Sequence, residues 1–98
     1  MNNVLLARID NRLVHGQVGA AWTRFINANL IVVADNEVVK DNTQMAMMKL
    51  LATTVGVGIR FFTLDETVKK IPLAAPEQKI FLITRTPYEM AYLIVIRH

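Results

Sequence analysis

Val4-Leu5-Leu6-Ala7-Arg8-Ile9-Asp10-Asn11-Arg12-Leu13-Val14-His15-Gly16-Gln17-Val18 reads as a strand that runs through a charged loop into a helix. Val4–Ile9 is apolar enough for a buried strand, and a helix is expected from about Gly16 to Asn27. His15, the internal one of two histidines, therefore falls at a strand-to-helix junction. Arg8, Arg12 and Asp10 lie within seven residues of it. In open α/β sheets, chemistry gathers beyond the carboxyl ends of the strands. Free N–H groups at a helix start favour an anion there. A neutral imidazole, two guanidiniums and a helix start suit a site that takes up and passes on a phosphoryl group.

Outward from this segment the pattern alternates. Leu30-Ile31-Val32-Val33-Ala34 is a short β-branched strand, and Asp35-Asn36 ends it and can cap the next element. Thr43 to Ala52 is free of Gly and Pro and rich in helix formers. Met45, Met47 and Met48 in that stretch are expected to fill core space. Gly56-Val57-Gly58 interrupts, Ile59–Thr63 is a third strand, and Asp65–Ile71 is a short helix with Leu64, Val68 and Ile71 on one side. Pro72 and Pro76 bracket a loop, Lys79–Thr84 is a fourth strand, and Pro87 suits the first turn of a helix running through Tyr88–Ile96. The order β-α-β-α-β-α-β-α predicts an α/β fold, an open and mainly parallel sheet with helices on both faces. Near-continuous apolar strands fit such two-sided burial. Residues 1–98 are expected to form one domain, with no internal repeat or linker. Leu93-Ile94-Val95-Ile96-Arg97-His98 carries no stop signal and reads as the edge of a fragment.

Apolar residues make up 53% of the 98 and charged residues 19%, which sets the chain apart from disordered sequences. No apolar run approaches the roughly 18–20 residues of a membrane-spanning helix. Met1-Asn2-Asn3 opens no secretory signal, so a cytoplasmic location is expected. The absence of cysteine excludes a thiolate nucleophile, a disulfide framework and a cysteine-based metal site. The net charge of +3 is scattered, with no basic run longer than Lys69-Lys70, so nucleic acid is not an expected partner. No P-loop, dinucleotide fingerprint or histidine pair at metal spacing occurs, and neither cofactor nor metal is expected.

His15 titrates near neutrality, so an uncharged nucleophilic ring is available. Arg12 can grip phosphate oxygens through its planar fork, or simply be solvated. Asp10 can orient the imidazole, pair with Arg12 or cap the strand end. Arg8 shares strand parity with Asp10 and points to the same side. Gly16 admits close backbone approach to a phosphate, and Gln17 can donate to one. Asp35, Asn36, Arg85 and Thr86 follow the second and fourth strands, so a parallel sheet puts them on the same rim as His15.

At these residues the chain resembles a known family. Arg8-Ile-Asp-Asn-Arg-Leu-Val-His15-Gly-Gln-Val closely resembles the phosphorylation-site signature of the enzyme IIB component of the mannose-type (mannose–fructose–sorbose) bacterial sugar phosphotransferase system. The likeness continues through Asn29–Val38, Val57–Thr63 and Lys79–Pro87. The resemblance implies a protein-Nπ-phosphohistidine–sugar phosphotransferase, a phosphocarrier in sugar transport. The residue at His15 would take a phosphoryl group from phosphohistidine on a IIA component and pass it to a sugar entering through IIC and IID membrane components. Phosphoenolpyruvate is the ultimate donor, through enzyme I and HPr. Arg12 and Asp10 would support the transfer, and Arg8, Gly16 and Gln17 would bind phosphate. The implied location is cytoplasmic, peripheral to the membrane transporter, and association between copies stays open. Family domains run on with further strands and helices, so the resemblance implies a C-terminally truncated copy. The alternative is a non-catalytic regulatory or binding module of the same family. The sugar is not specified.

Overall fold

The structure, a computed structural model, describes residues 4–9, 28–73 and 77–97; for residues 4–9, 55 and 94–97 it describes the backbone alone. Strand β1 spans Val4–Ile9, β2 Leu30–Ala34, β3 Gly58–Phe62 and β4 Ile80–Thr84. Helix α1 spans Asn42–Val55, α2 Leu64–Lys70 and α3 Pro87–Arg97. Short 3₁₀ turns cover Val38–Lys40 and Ile71–Leu73. The helix expected over Gly16 to Asn27 lies outside the described residues.

The strands form one sheet in the order β1-β4-β2-β3, and every neighbouring pair is parallel. This order follows from composition. β2 is apolar at every position and β4 as far as Ile83, and both are buried at every position, so they occupy the centre of the sheet. β3 carries Arg60 mid-strand and is exposed there, which suits the edge. Alternation then divides the core in two. Ile31, Val33, Ile59, Phe81 and Ile83 face α1 through Met48 and Ala52. Leu30, Val32, Ala34, Ile80 and Leu82 face the other way, against Ile71, Met90 and Leu93, with Leu64 and Val68 packed alongside. So α1, linking β2 to β3, covers one face, while α2, returning across β2 to β4, covers the other, as right-handed crossovers require.

Capping chemistry sets the element boundaries. Asp35 does not cap α1; its Oδ2 accepts the Val38 N–H at 3.0 Å and starts the 3₁₀ turn. Asp41 is the N-cap of α1, accepting from Gln44 N at 3.0 Å. The helix therefore starts at Asn42, one residue earlier than expected, and runs to Val55. Gly56 ends it at φ 77°, and the N–H groups of Gly56 and Val57 return to Thr53 O and Ala52 O. That left-handed cap is accessible to glycine without a Cβ penalty. Thr63, expected in β3, instead caps α2: its Oγ1 accepts Glu66 N at 3.1 Å while Glu66 Oε1 accepts Thr63 N at 2.9 Å. Among the methionines, Met48 is core and Met45 is packed against it, but Met47 is 63% exposed and fills nothing.

At the amino ends of the strands, Asn29 acts as a clip. Its Oδ1 accepts Lys79 N at 2.8 Å and its Nδ2 donates to Glu77 O at 2.9 Å. Its backbone N donates to Lys79 O, and its carbonyl accepts from Gly58 N at 3.0 Å. Three strands are thereby started in register, which fixes how their opposite ends line up.

Candidate functional site

Parallel register aligns the carboxyl ends of all four strands. Ile9 stands beside Thr84, Thr84 beside Ala34, and Ala34 beside Phe62. Neighbouring strands lie about 4.8 Å apart. The end of β1 therefore stands next to the end of β4, and the turn that follows β4 is next to the one that follows β2. Arg8 pairs with Ile83 in the β1–β4 register. Asp10, Arg12, His15, Gly16 and Gln17 lie outside the described residues.

The rim residues are described, and they form a bonded cluster. Arg85 Nη2 lies 3.2 Å from Asp35 Oδ2, which also accepts the Val38 N–H. The Asp35 side chain is 4% exposed and that of Arg85 32%. A carboxylate buried this deeply persists only when paired and hydrogen-bonded, and Asp35 has both kinds of partner. Asn36, the next residue, is exposed; its Oδ1 accepts Leu64 N at 2.8 Å and ties the β2 turn to the start of α2. Thr86 sits at the start of α3. Its N–H and Oγ1–H both donate to Glu89 Oε1, at 2.9 and 3.1 Å.

Glu89 joins the cluster through Thr86. Burial, then the hydrogen bond and charge of Asp35, push Glu89 above its ordinary 4.5, against the opposing bonds from Thr86. Burial also disfavours the ionised form of Asp35, but bonds from Glu89, Arg85 and the Val38 N–H outweigh it and hold Asp35 below its ordinary 3.8.

The sequence puts Asp35, Asn36, Arg85 and Thr86 after β2 and β4 on a rim shared with His15; the sheet is parallel and the four lie at those strand ends, while His15 is outside the described residues. Sequence reasoning brought Asp35 and Arg85 no closer than neighbouring loops, and it passed over Glu89. A signal for Glu89 existed: Thr86-Pro87-Tyr88-Glu89 has the Ser/Thr-x-x-Glu spacing of a capping box. The structure adds Tyr88, 87% exposed in the first turn of α3. Among the described residues, no three His, Cys, Asp or Glu side chains come together as a metal centre would need. No helix among them is long and apolar enough to cross a membrane.

Comparison with known proteins gives a consistent picture. Residues 4–96 match the family described as PTS system sorbose subfamily IIB component. The chain is 56% identical over 92 residues to the N-acetylgalactosamine-specific phosphotransferase enzyme IIB component 1 of Escherichia coli, covering 94% of this chain and 58% of that protein. Component 2 of the same organism is 43% identical over 94 residues, covering 96% of this chain and 59% of its own length. Among solved structures, the Escherichia coli N-acetylgalactosamine-specific IIB component 1 superposes with a TM-score of 0.92, covering 95% of this chain and 61% of that one. An N-acetyl-galactosamine IIB component from Streptococcus pyogenes, 33% identical, superposes with a TM-score of 0.87 over 95% of this chain and 56% of its own. The chain thus spans about three fifths of the length of the relatives it matches.

Proposed function

The chain belongs to the sorbose subfamily of phosphotransferase-system IIB components, and from that membership we propose that it is a phosphocarrier whose His15 relays a phosphoryl group to an incoming sugar. The observation that carries this reading is the pairing of Ile9 with Thr84. It ends β1 at the carboxyl end of the sheet, where α/β proteins bind their ligands, and in the sequence Asp10, Arg12 and His15 follow Ile9.

In this reading a nitrogen of neutral His15 attacks the phosphorus of a phosphohistidine on the IIA component. A new N–P bond forms, the old one breaks, and the donor imidazole leaves neutral. A sugar hydroxyl then attacks the same phosphorus, its proton passes to solvent or a nearby base, and His15 is regenerated. Such transfers demand positioning and charge stabilisation more than covalent assistance. Arg12, Arg8 and the N–H groups of Gly16 and Gln17 hold the transferring oxygens, and Asp10 orients the ring. IIC and IID membrane components deliver the sugar, and the chain works at the cytoplasmic face of that transporter. Two relatives are named for N-acetylgalactosamine, which makes it the first sugar to test.

The test is intact-mass spectrometry after incubation with phosphoenolpyruvate, enzyme I, HPr and an N-acetylgalactosamine-type IIA component. The expected result is one added phosphate, lost on acid treatment and absent from His15→Ala. A folded chain that gains no phosphate would overturn the reading and favour a non-catalytic binding module of the same family.

A further inference from the structure

Helix α2 is too short for the strands it covers. Its seven residues span about 10 Å, against about 17 Å for a five-residue strand. It starts at Leu64, just past the carboxyl end of β3, and ends at Lys70. A cavity of about 340 Å³ remains beside its end. The floor is apolar, made by Leu30, Val32 and Ile80 of the two central strands. The edge is not: Arg60 and Phe62 line it from β3, and Lys70 from the last turn of α2.

The fold places both cations here and leaves them largely uncompensated. Arg60 stands in register with Val32, and strand alternation puts it on the same face as Phe62. Its Nη1 donates to the carbonyl oxygen of Ile59 at 2.8 Å. The ion pairs among the described residues join Lys40, Lys70 and Arg85 to carboxylates, and Arg60 is in none of them. A guanidinium carries five N–H donors, so most of this fork is open to a further acceptor. Lys70 Nζ lies 4.9 Å from the centre of the Phe62 ring and 3.8 Å from Glu66 Oε2. Glu66 is already engaged in the cap of α2, where its Oε1 accepts Thr63 N. Two cations against one carboxylate leave a net positive charge at the edge of an apolar cavity.

We propose that this cavity binds a small organic carboxylate with an apolar body. The planar fork of Arg60 matches the two carboxylate oxygens, and Lys70 adds a second positive charge. The body of the ligand lies over Leu30, Val32 and Ile80, beside the Phe62 ring. A cavity of about 340 Å³ is at the small end of ligand sites, which run from about 300 to 1,000 Å³. That suits a single ring or a short branched chain, and it is too small for a nucleotide. A free sugar would set its hydroxyls against an apolar floor without partners. Inorganic phosphate would meet the cations and leave the floor uncovered. Leu30 and Ile80 open β2 and β4, whereas Asp35 and Arg85 follow those strands, so this site is at a different end of the sheet from the rim.

The experiment is an NMR titration of the full chain with phenylacetate, following the backbone amides. Phenylacetate is expected to bind saturably in the millimolar range and to shift the amides of Gly58–Phe62 and of Lys70. Phenylacetamide, which keeps the ring and loses the charge, and acetate, which keeps the charge and loses the ring, are each expected to bind about tenfold more weakly. Arg60→Gln should weaken phenylacetate about tenfold, and His15→Ala should bind it as wild type does. Should Arg60→Gln fail to fold, the comparison of the three probes on wild type decides alone. The inference is overturned by a failure of phenylacetate to saturate, by equal binding of phenylacetamide, by unchanged affinity in folded Arg60→Gln, or by loss of binding in His15→Ala. None of these results bears on the phosphocarrier reading, which stands or falls by phosphate uptake.

Discussion

Arg85 and Asp35 are fifty residues apart in the chain and 3.2 Å apart in the fold. They join the turns that follow the two central strands, so the ion pair spans the middle of the sheet's carboxyl end. Its carboxylate is nearly inaccessible while its guanidinium is a third exposed. Such a pair orients the cation more than it stabilises the fold, because desolvating the carboxylate offsets much of the attraction.

Removing Asp35 is nonetheless expected to be costly. Asp35→Ala leaves the Val38 N–H without its acceptor and removes the ion pair with Arg85. Unsatisfied buried donors cost about 1–3 kcal/mol. Urea denaturation should therefore show a loss of about 2 kcal/mol with an unchanged slope. A loss under about 0.5 kcal/mol would mean that water replaces both partners.

The carboxyl pair predicts a pH dependence of stability with a definite sign. Glu89 is raised in the folded state, so its contribution is fully present below 4.5 and is lost as pH rises through its folded value. Asp35 is lowered, so its contribution is present above 3.8 and is lost as pH falls below that. Replacing Glu89 with Gln keeps an acceptor for Thr86 and removes the first titration. The melting temperature of Glu89→Gln should therefore gain on wild type as pH rises from 4.5 towards neutrality. Parallel melting curves over that range would show that folding does not raise Glu89.

Gly56 offers a test that is independent of the site. Its φ is 77°, and a Cβ built there meets nothing within 4 Å. The cost of Gly56→Ala is then the backbone conformation alone, about 1 kcal/mol. Gly56→Asn should cost less, because asparagine tolerates the left-handed region. Equal losses for the two variants in chemical denaturation would point to a contact instead of a dihedral cost.

Much of this protein is determined by its sequence. Leu30–Ala34 could only be a strand buried on both sides, since it offers no polar residue to solvent. The positions of β4, α1 and α2 follow from apolar runs and helical spacing, with errors of one to three residues where a cap decides the end. Thr63 shows why: it is β-branched and reads as strand, but a glutamate three residues on makes it a better cap. The strand alternation and the Arg8–Gln17 signature were likewise legible, because both are local patterns.

Only the tertiary structure decided the order β1-β4-β2-β3 and what it brings together. Nothing local to Asp35 announces Arg85. Their meeting depends on β4 inserting between β1 and β2, and that placement is settled by which strands can lose all contact with water. Glu89 was readable as a cap for its own helix, but the Asp35–Arg85 pair exists because two apolar strands pack side by side and leave their polar ends adjacent. Local sequence sets each residue's conformation; burial of the central strands sets which residues become neighbours.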